Sequence, residues 1–344
     1  MKNAVLLPAV IILSLLNFSC KEDFSPKTDF KSGYVINCII NLDYRHLPIS
    51  FLTHGTARIT KFYNIQGYAP TYPANLFVPG VKVYIEYRGT QYKLYELYHP
   101  VTGALSYRDI YEQLPFYPSY TVYLNAEMPD GKVLTAETKL LNDTQIKYSY
   151  NFVRGFSTNI NRFMWGDNLT VTWDKQENCL SFPRLVLQYY KYVNPAAEPD
   201  SMHPDGIYSY TMDIPLIFSK GKPIYPSYSY GNSVSFSYPL IDSLIRGISK
   251  GDTAKSNYKL YSMSFRLIKF DESLSKYYSS IHGSLDDYSI RHDESVYSNI
   301  KGGLGIFGSQ LKLNDTWLVD PEYAHSFGYK SFKDPFPGET GYGN

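Results

Sequence analysis

Gly303-Leu304-Gly305-Ile306-Phe307-Gly308 has the G-x-G-x-x-G spacing of a loop that cradles a dinucleotide pyrophosphate. That chemistry needs a strand before the glycines, a helix after them to face the phosphate, and an acidic residue about 20 positions further on. Here the following residues, SQLKLNDTWLV (309–319), alternate as a strand. The sequence therefore predicts neither nucleotide nor any other cofactor at this motif. It assigns the glycines to a turn or bulge with close backbone approach, which carries Ile306 and Phe307 into the core or onto a contact surface.

Other residue types that do chemistry are scattered. The seven histidines are His46, His54, His99, His203, His282, His292 and His325. None forms H-E-x-x-H, and no G-x-S-x-G elbow is present. Asp286 and Asp287, with Arg291-His292-Asp293-Glu294 after them, offer carboxylates of the kind that bind calcium or cleave glycosides, but read as a solvated loop. Asp200, His203 and Asp205 stand close together without the D-x-D-x-D-G calcium pattern. Two tyrosine groups, Tyr189, Tyr190, Tyr192 and Tyr225, Tyr228, Tyr230, suit core and strand-surface packing before stacking on sugars or peptides. The expectation is no catalytic residue and no metal site, hence not an enzyme.

The start of the chain is more specific. Lys2 precedes an apolar run from Ala4 to Leu16 that ends in Ser19-Cys20. The run has the length of a signal-peptide core and falls short of the ~20 residues of a membrane span. A small residue before cysteine is the processing site of a bacterial lipoprotein, with cleavage before Cys20 and the lipid on Cys20. The usual leucine of that site is displaced by one position, to Leu16. Multiple acyl chains on one residue give a stable anchor. Lys21-Glu22-Asp23 follows at once and resembles the export signal that sends lipoproteins to the outer face of the outer membrane. The location expected is the outer membrane, lipid-anchored and facing the exterior.

Of 33 basic and 32 acidic residues, only Lys2 is lost with residues 1–19, so the processed chain is neutral. Neutrality without a basic run argues against nucleic acid as a partner. Cys38 and Cys179 remain. Each lies in a strand-like run, and buried thiols are preferred here over a disulfide, which stays open. Tyrosine, 35 of 344 residues, marks a β-rich chain.

The elements bear this out along the chain. Residues 20–32 read as a tether and 34–42 as a strand. VKVYIEYRGTQYKLYELY (81–98) predicts a hairpin about Arg88-Gly89, with Val81, Val83, Ile85 and Tyr87 on one face. Residues 119–140 predict another about Pro129-Asp130-Gly131. Residues 33–140 are thus expected to form an immunoglobulin-like or transthyretin-like β-sandwich. A linker follows at 141–167, then a second β-rich domain at 168–320 with one or two short helices, and a C-terminal tail at 321–344. Strands are expected at 168–174, 184–193, 208–218, 233–241, 258–270 and 309–319. One helix is expected near 242–248 and one at 271–284, capped by Asp271, with Leu274, Tyr277, Tyr278 and Ile281 as its apolar stripe.

Four stretches together carry a family resemblance. YSNIKGGLGIFGS (297–309) resembles the closing motif of the Bacteroidota surface lipoproteins grouped as domain-of-unknown-function family 4249. CKEDF at 20–24, PGVKVYIEY at 79–87 and PDGKVLTAET at 129–138 are similar to that family's start, first-domain strand and hairpin. The positions matching the closing motif are Asn299, Gly302, Gly303, Gly305, Phe307 and Gly308; the role expected for them is structural, with a partner contact as the alternative. The resemblance implies a binding or accessory subunit of a TonB-dependent outer-membrane transporter, hence an outer-membrane β-barrel protein as partner. The alternative is a scaffold subunit of an outer-membrane assembly, with a hydrolase a distant third. The resemblance implies no enzymatic activity.

Overall fold

The computed structural model describes residues 33–44, 51–62, 77–101, 104–109, 114, 116–148, 168–196, 200–252, 254–282 and 297–337, all within one compact unit. The fold is mostly β, as the sequence predicts. The strands of the first half are β1 (Gly33–Tyr44), β2 (Phe51–Phe62), β3 (Lys82–Tyr87), β4 (Thr90–Tyr98), β5 (Leu105–Arg108), β6 (Thr121–Glu127) and β7 (Val133–Lys139). Those of the second are β8 (Ile146–Tyr148), β9 (Asn168–Trp173), β10 (Ser181–Tyr192), β11 (Ile207–Asp213), β12 (Ile217–Ser219), β13 (Lys222–Ile224), β14 (Ser233–Ser237), β15 (Tyr258–Phe270) and β16 (Leu304–Leu318). Among the described residues the α-helices are α1 (Tyr238–Arg246), α2 (Glu272–His282) and α3 (Pro321–Ser326).

Both predicted hairpins are present. In β3 the alternation places Val81, Val83, Ile85 and Tyr87 inside, each under a tenth exposed. Arg88 and Gly89, at φ 51° and 77°, make the left-handed turn that a two-residue hairpin demands. The second hairpin turns at Gly131, φ 83°. β15 spans the residues predicted for it. β2 and β5 are absent from the sequence expectation because they carry no clean alternation or turn signal. The predicted 208–218 strand divides into β11 and β12 around Pro215, which has no N–H to donate to a ladder.

One large sheet runs β11-β10-β15-β16-β1-β2-β5-β4-β3-β6-β7. All its pairings are antiparallel except β1 with β16, which run parallel from Val35↔Leu304 to Tyr44↔Leu313. The first described strand thus lies beside the last, and the two β-rich halves share a sheet. The first half also closes upon that seam. Thr135 of β7 exchanges both backbone hydrogen bonds with Lys301 (3.1 and 2.8 Å). The Tyr34 hydroxyl at the start of β1 donates to Asp130 in the second hairpin turn (2.7 Å). Inside this sandwich-like closure lie Ile36, Cys38 and Ile40 of β1, Val83 and Ile85 of β3, and Leu124 and Leu134 of β6 and β7.

β14-β9-β8 is a separate three-stranded sheet. Within the stretch expected to link the halves, residues 141–148 are packed: Leu141 is buried and Ile146–Tyr148 pair with β9. The tail folds back as well. Asp320 caps α3 by accepting from Glu322 and Tyr323 N–H (2.9 and 3.2 Å), and Tyr329 and Phe336 are buried. No helix among the described residues is long and apolar enough to cross a membrane.

Candidate functional site

The glycine motif lies in the seam between β1, β7 and α2. Its residues lead into β16 rather than into a helix, so the strand-for-helix reading of residues 309–319 holds and extends five positions earlier. Gly305 has φ 112°, and a Cβ there would stand 2.1 Å from the carbonyl oxygen of Ile36. No L side chain fits that position, because the parallel ladder with β1 requires the contact. At Gly303 the nearest obstacle to a Cβ is the Tyr34 carbonyl, at 2.7 Å; at Gly302 it is the Val133 carbonyl, at 2.8 Å. At Gly308 the neighbours are Leu274 and Asp271, so the bare backbone lets α2 lie close on β16. Ile306 and Phe307 are both buried, on opposite sides of the sheet. Phe307 enters the large core, and Ile306 joins Leu180, Phe270 and Leu274 in a smaller cluster under α2.

Asn299 completes the seam. β15 pairs with β16 only from Gln310 onward, which leaves the earlier part of that edge without a strand partner. The Asn299 side chain takes its place: Oδ1 accepts from Phe307 N–H (2.8 Å) and Nδ2 donates to the Phe307 carbonyl (2.7 Å). The same Nδ2 reaches Ser273 Oγ at 3.2 Å, tying the edge to α2. An amide is the one side-chain type that reproduces both halves of a backbone pair.

Asp271 does the same two residues further on. Its N–H donates to the Ser309 carbonyl (3.0 Å), and its carboxylate accepts from Ser309 N–H, from Thr138 Oγ1 of β7 (2.7 Å) and from Leu274 N–H (2.8 Å). The last of these is the helix cap that the sequence predicts. Asp271 therefore joins β7, β16 and α2, a role that its sequence neighbourhood gives no sign of beyond the cap. Burial pushes its carboxyl up to about 6, against the hydrogen bonds to the carboxylate, which favour the ionised form.

Lys269, two residues earlier on β15, is also buried. Its ammonium donates to Thr144 Oγ1 (2.8 Å) and to the Asp174 carbonyl (3.0 Å), and burial lowers its pKa. This lysine holds the 141–148 stretch and the end of β9 onto β15. Cys179 nearby has its thiol pushed up to about 11 by burial; Cys38 is raised by burial as well. Both are free, buried thiols.

The remaining candidates are placed as follows. Cys20, Lys21, Glu22, Asp23, Asp286 and Asp287 lie outside the described residues. Asp200 accepts from His203 Nδ1 (2.9 Å) and from the Tyr208 hydroxyl (3.0 Å), and the His203 and Tyr208 rings stack at 4.3 Å. Asp205 caps its own turn at Ile207 N–H instead of joining them. Among the described residues no group of three His, Cys, Asp or Glu side chains is disposed to hold a metal. Three of the six tyrosines stack within the protein: Tyr189 on Tyr210 (5.3 Å), Tyr192 on Phe336 (5.6 Å), and Tyr228 on both Phe182 and Tyr278 (4.5 and 5.7 Å). A shallow depression of about 290 Å³ lies on β3, β6 and β7, lined by Glu86, Tyr123, Glu137 and Lys301 among others.

No family model and no curated protein matches the chain. A solved structure, described as a tetra-tandem repeat in the extending region of a large adhesion protein, aligns with 82% of this chain at 11% identity and a TM-score of 0.16. The chain spans about half of that structure, 49%. At that TM-score the alignment bears on neither fold nor function.

Proposed function

We propose that this chain is a lipid-anchored protein of the outer-membrane surface that serves as a binding or accessory subunit, with a TonB-dependent β-barrel transporter as its partner. The observation that carries the reading is the leader: an apolar run, Ser19-Cys20, then Lys21-Glu22-Asp23, in front of a β-rich fold. The resemblance of residues 297–309 to the lipoprotein family motif supports it. So does the use made of two of the buried charged residues. Asp271 and Lys269, whose environments perturb them as a catalytic site would, are committed to hydrogen bonds that join strands and a helix. The proposal assigns no reaction.

A scaffold subunit that binds protein alone is the second reading. The depression on β3, β6 and β7, at about 290 Å³, lies just below the ~300–1,000 Å³ range of ligand pockets. Two experiments separate these ideas. Cys20→Ser should move the protein out of the membrane fraction; unchanged fractionation sinks the anchor. Purification of the tagged native protein in mild detergent should bring a stoichiometric TonB-dependent barrel. A different assembly selects the scaffold, and an isolated chain overturns both readings.

A further inference from the structure

We propose that the β12–β13 hairpin is a membrane-contact device that settles into the headgroup layer of an anionic lipid bilayer. Nine consecutive residues, Ile217 to Tyr225, are exposed. Ile217 is 56% exposed, Phe218 47% and Ile224 42%, which is unusual for three large apolar side chains on one short element. The turn is well formed: Lys220 and Gly221, at φ 49° and 77°, make the two-residue connection of a tight hairpin. At its base Leu216 N–H donates to the Ile224 carbonyl (2.7 Å), and the Arg184 guanidinium lies 5.2 Å from the Tyr225 ring. A two-stranded hairpin standing alone is marginal in water. This one is held in shape and presented outward.

Its two faces say what surrounds it. Ile217 pairs with Ile224 and Phe218 with Pro223, so cross-strand partners put Ile217 and Ile224 on one face, Phe218 and Pro223 on the other. Both faces thus carry large apolar side chains, and the one polar pair, Ser219 with Lys222, sits beside the turn on the Ile217 face. A flat docking partner covers one face of a hairpin, whereas an apolar medium accommodates both. Addition of a further strand to β13 is disfavoured by Lys222 and by Pro223, which lacks an N–H.

The charge pattern selects an anionic medium. Between Asp213 and Asp242 the only charged residues are Lys220 and Lys222. Strands of three residues span roughly 10 Å, the depth of the headgroup and acyl boundary. At that depth the lysine stems lie along apolar surface while their ammoniums reach lipid phosphates, each adding to the attraction of an anionic surface. The tyrosine ring at 225 has the amphipathic character favoured at the same level.

The test places a tryptophan in the hairpin and measures its contact with lipid. Full-length Phe218→Trp, carrying Cys20→Ser in every sample, is added to vesicles of phosphatidylglycerol or of phosphatidylcholine with brominated acyl chains. The parent chain supplies the background from the native tryptophans, and Val101→Trp, at another exposed apolar position, reports general adsorption. The emission of the added tryptophan in phosphatidylglycerol vesicles should fall by about two-fold or more. It should remain unquenched in phosphatidylcholine, and Lys220→Ala with Lys222→Ala should abolish the difference. No quenching, or equal quenching at position 101, overturns the proposal. Quenching absent from vesicles but a blue-shifted emission in native outer membranes assigns the hairpin to a protein cleft and overturns it too. Because Cys20 is removed throughout, the outcome is independent of whether the anchor exists.

Discussion

Replacing Gly305 by alanine tests the central claim that the glycine motif serves backbone approach in the seam. Two costs combine there. An L residue at positive φ costs roughly 1–2 kcal/mol. The added Cβ would stand 2.1 Å from the Ile36 oxygen and 2.8 Å from its carbonyl carbon, atoms of backbone that cannot swing aside. Relief requires β1 and β16 to part locally, which forfeits ladder hydrogen bonds of about 1 kcal/mol each and loosens the Ile36 side chain in the core. The sum is about 3–5 kcal/mol, a large share of the ~5–15 kcal/mol that holds a typical domain. At about 2–4 °C per kcal/mol, melting should fall on the order of 10 °C. Gly131→Ala is the control, since it has φ 83° but nothing within 4 Å of the added carbon. It should cost only about 1 kcal/mol. Thermal denaturation of the two variants, with amide exchange followed across β1, reads both numbers. Equal shifts would show that the dihedral alone matters and that the close approach is immaterial. An unchanged melt for Gly305→Ala would refute the seam.

Asn299→Ala removes both partners of Phe307 and should cost about 2–4 kcal/mol by urea titration, whereas Asn299→Asp, which keeps an acceptor and loses the donor, should lie between the two. Asp271 makes stability depend on pH. Its folded pKa of about 6 stands above the ordinary 3.8, so the folded chain takes up the proton first. The stabilisation is therefore full below about 3.8 and lost as pH rises through about 6, an effect of up to roughly 3 kcal/mol. Denaturation of wild type and Asp271→Asn across that window should show the component in wild type alone; parallel curves would contradict it. Finally, the thiols of Cys38 and Cys179, raised by burial, should resist alkylation in the native protein and react together on unfolding, as peptide mapping would show.

Local pattern made much of this structure readable. Val83 and Ile85 alternate with polar neighbours, Gly131 follows Pro-Asp, and Asp271 precedes an apolar stripe, so two hairpins and a capped helix follow from short-range chemistry. What brings them together is long-range. Nothing in YVINCIINL marks it as the parallel neighbour of a strand some 270 residues later, since either edge of a strand is chemically alike. The glycine spacing pointed to close approach without naming Ile36 as the atom approached. Asn299 was legible only as part of a motif, because the edge it completes exists only once β15 has ended its pairing at Gln310. Lys269 sits in an alternating strand and reads as surface, yet it is interior because Thr144 and the Asp174 carbonyl arrive from elsewhere.

The position of β1 between β16 and β2 also decides how the molecule answers a mechanical load. A pull on the N-terminal end acts along the axis of β1, which is paired over ten positions with β16 and twelve with β2. Such a force shears both ladders, so their hydrogen bonds resist together instead of opening one after another. An outer hairpin such as β6–β7, peeled from its turn, would unzip sequentially. The fold therefore resists tension well at the Gly33 end of β1.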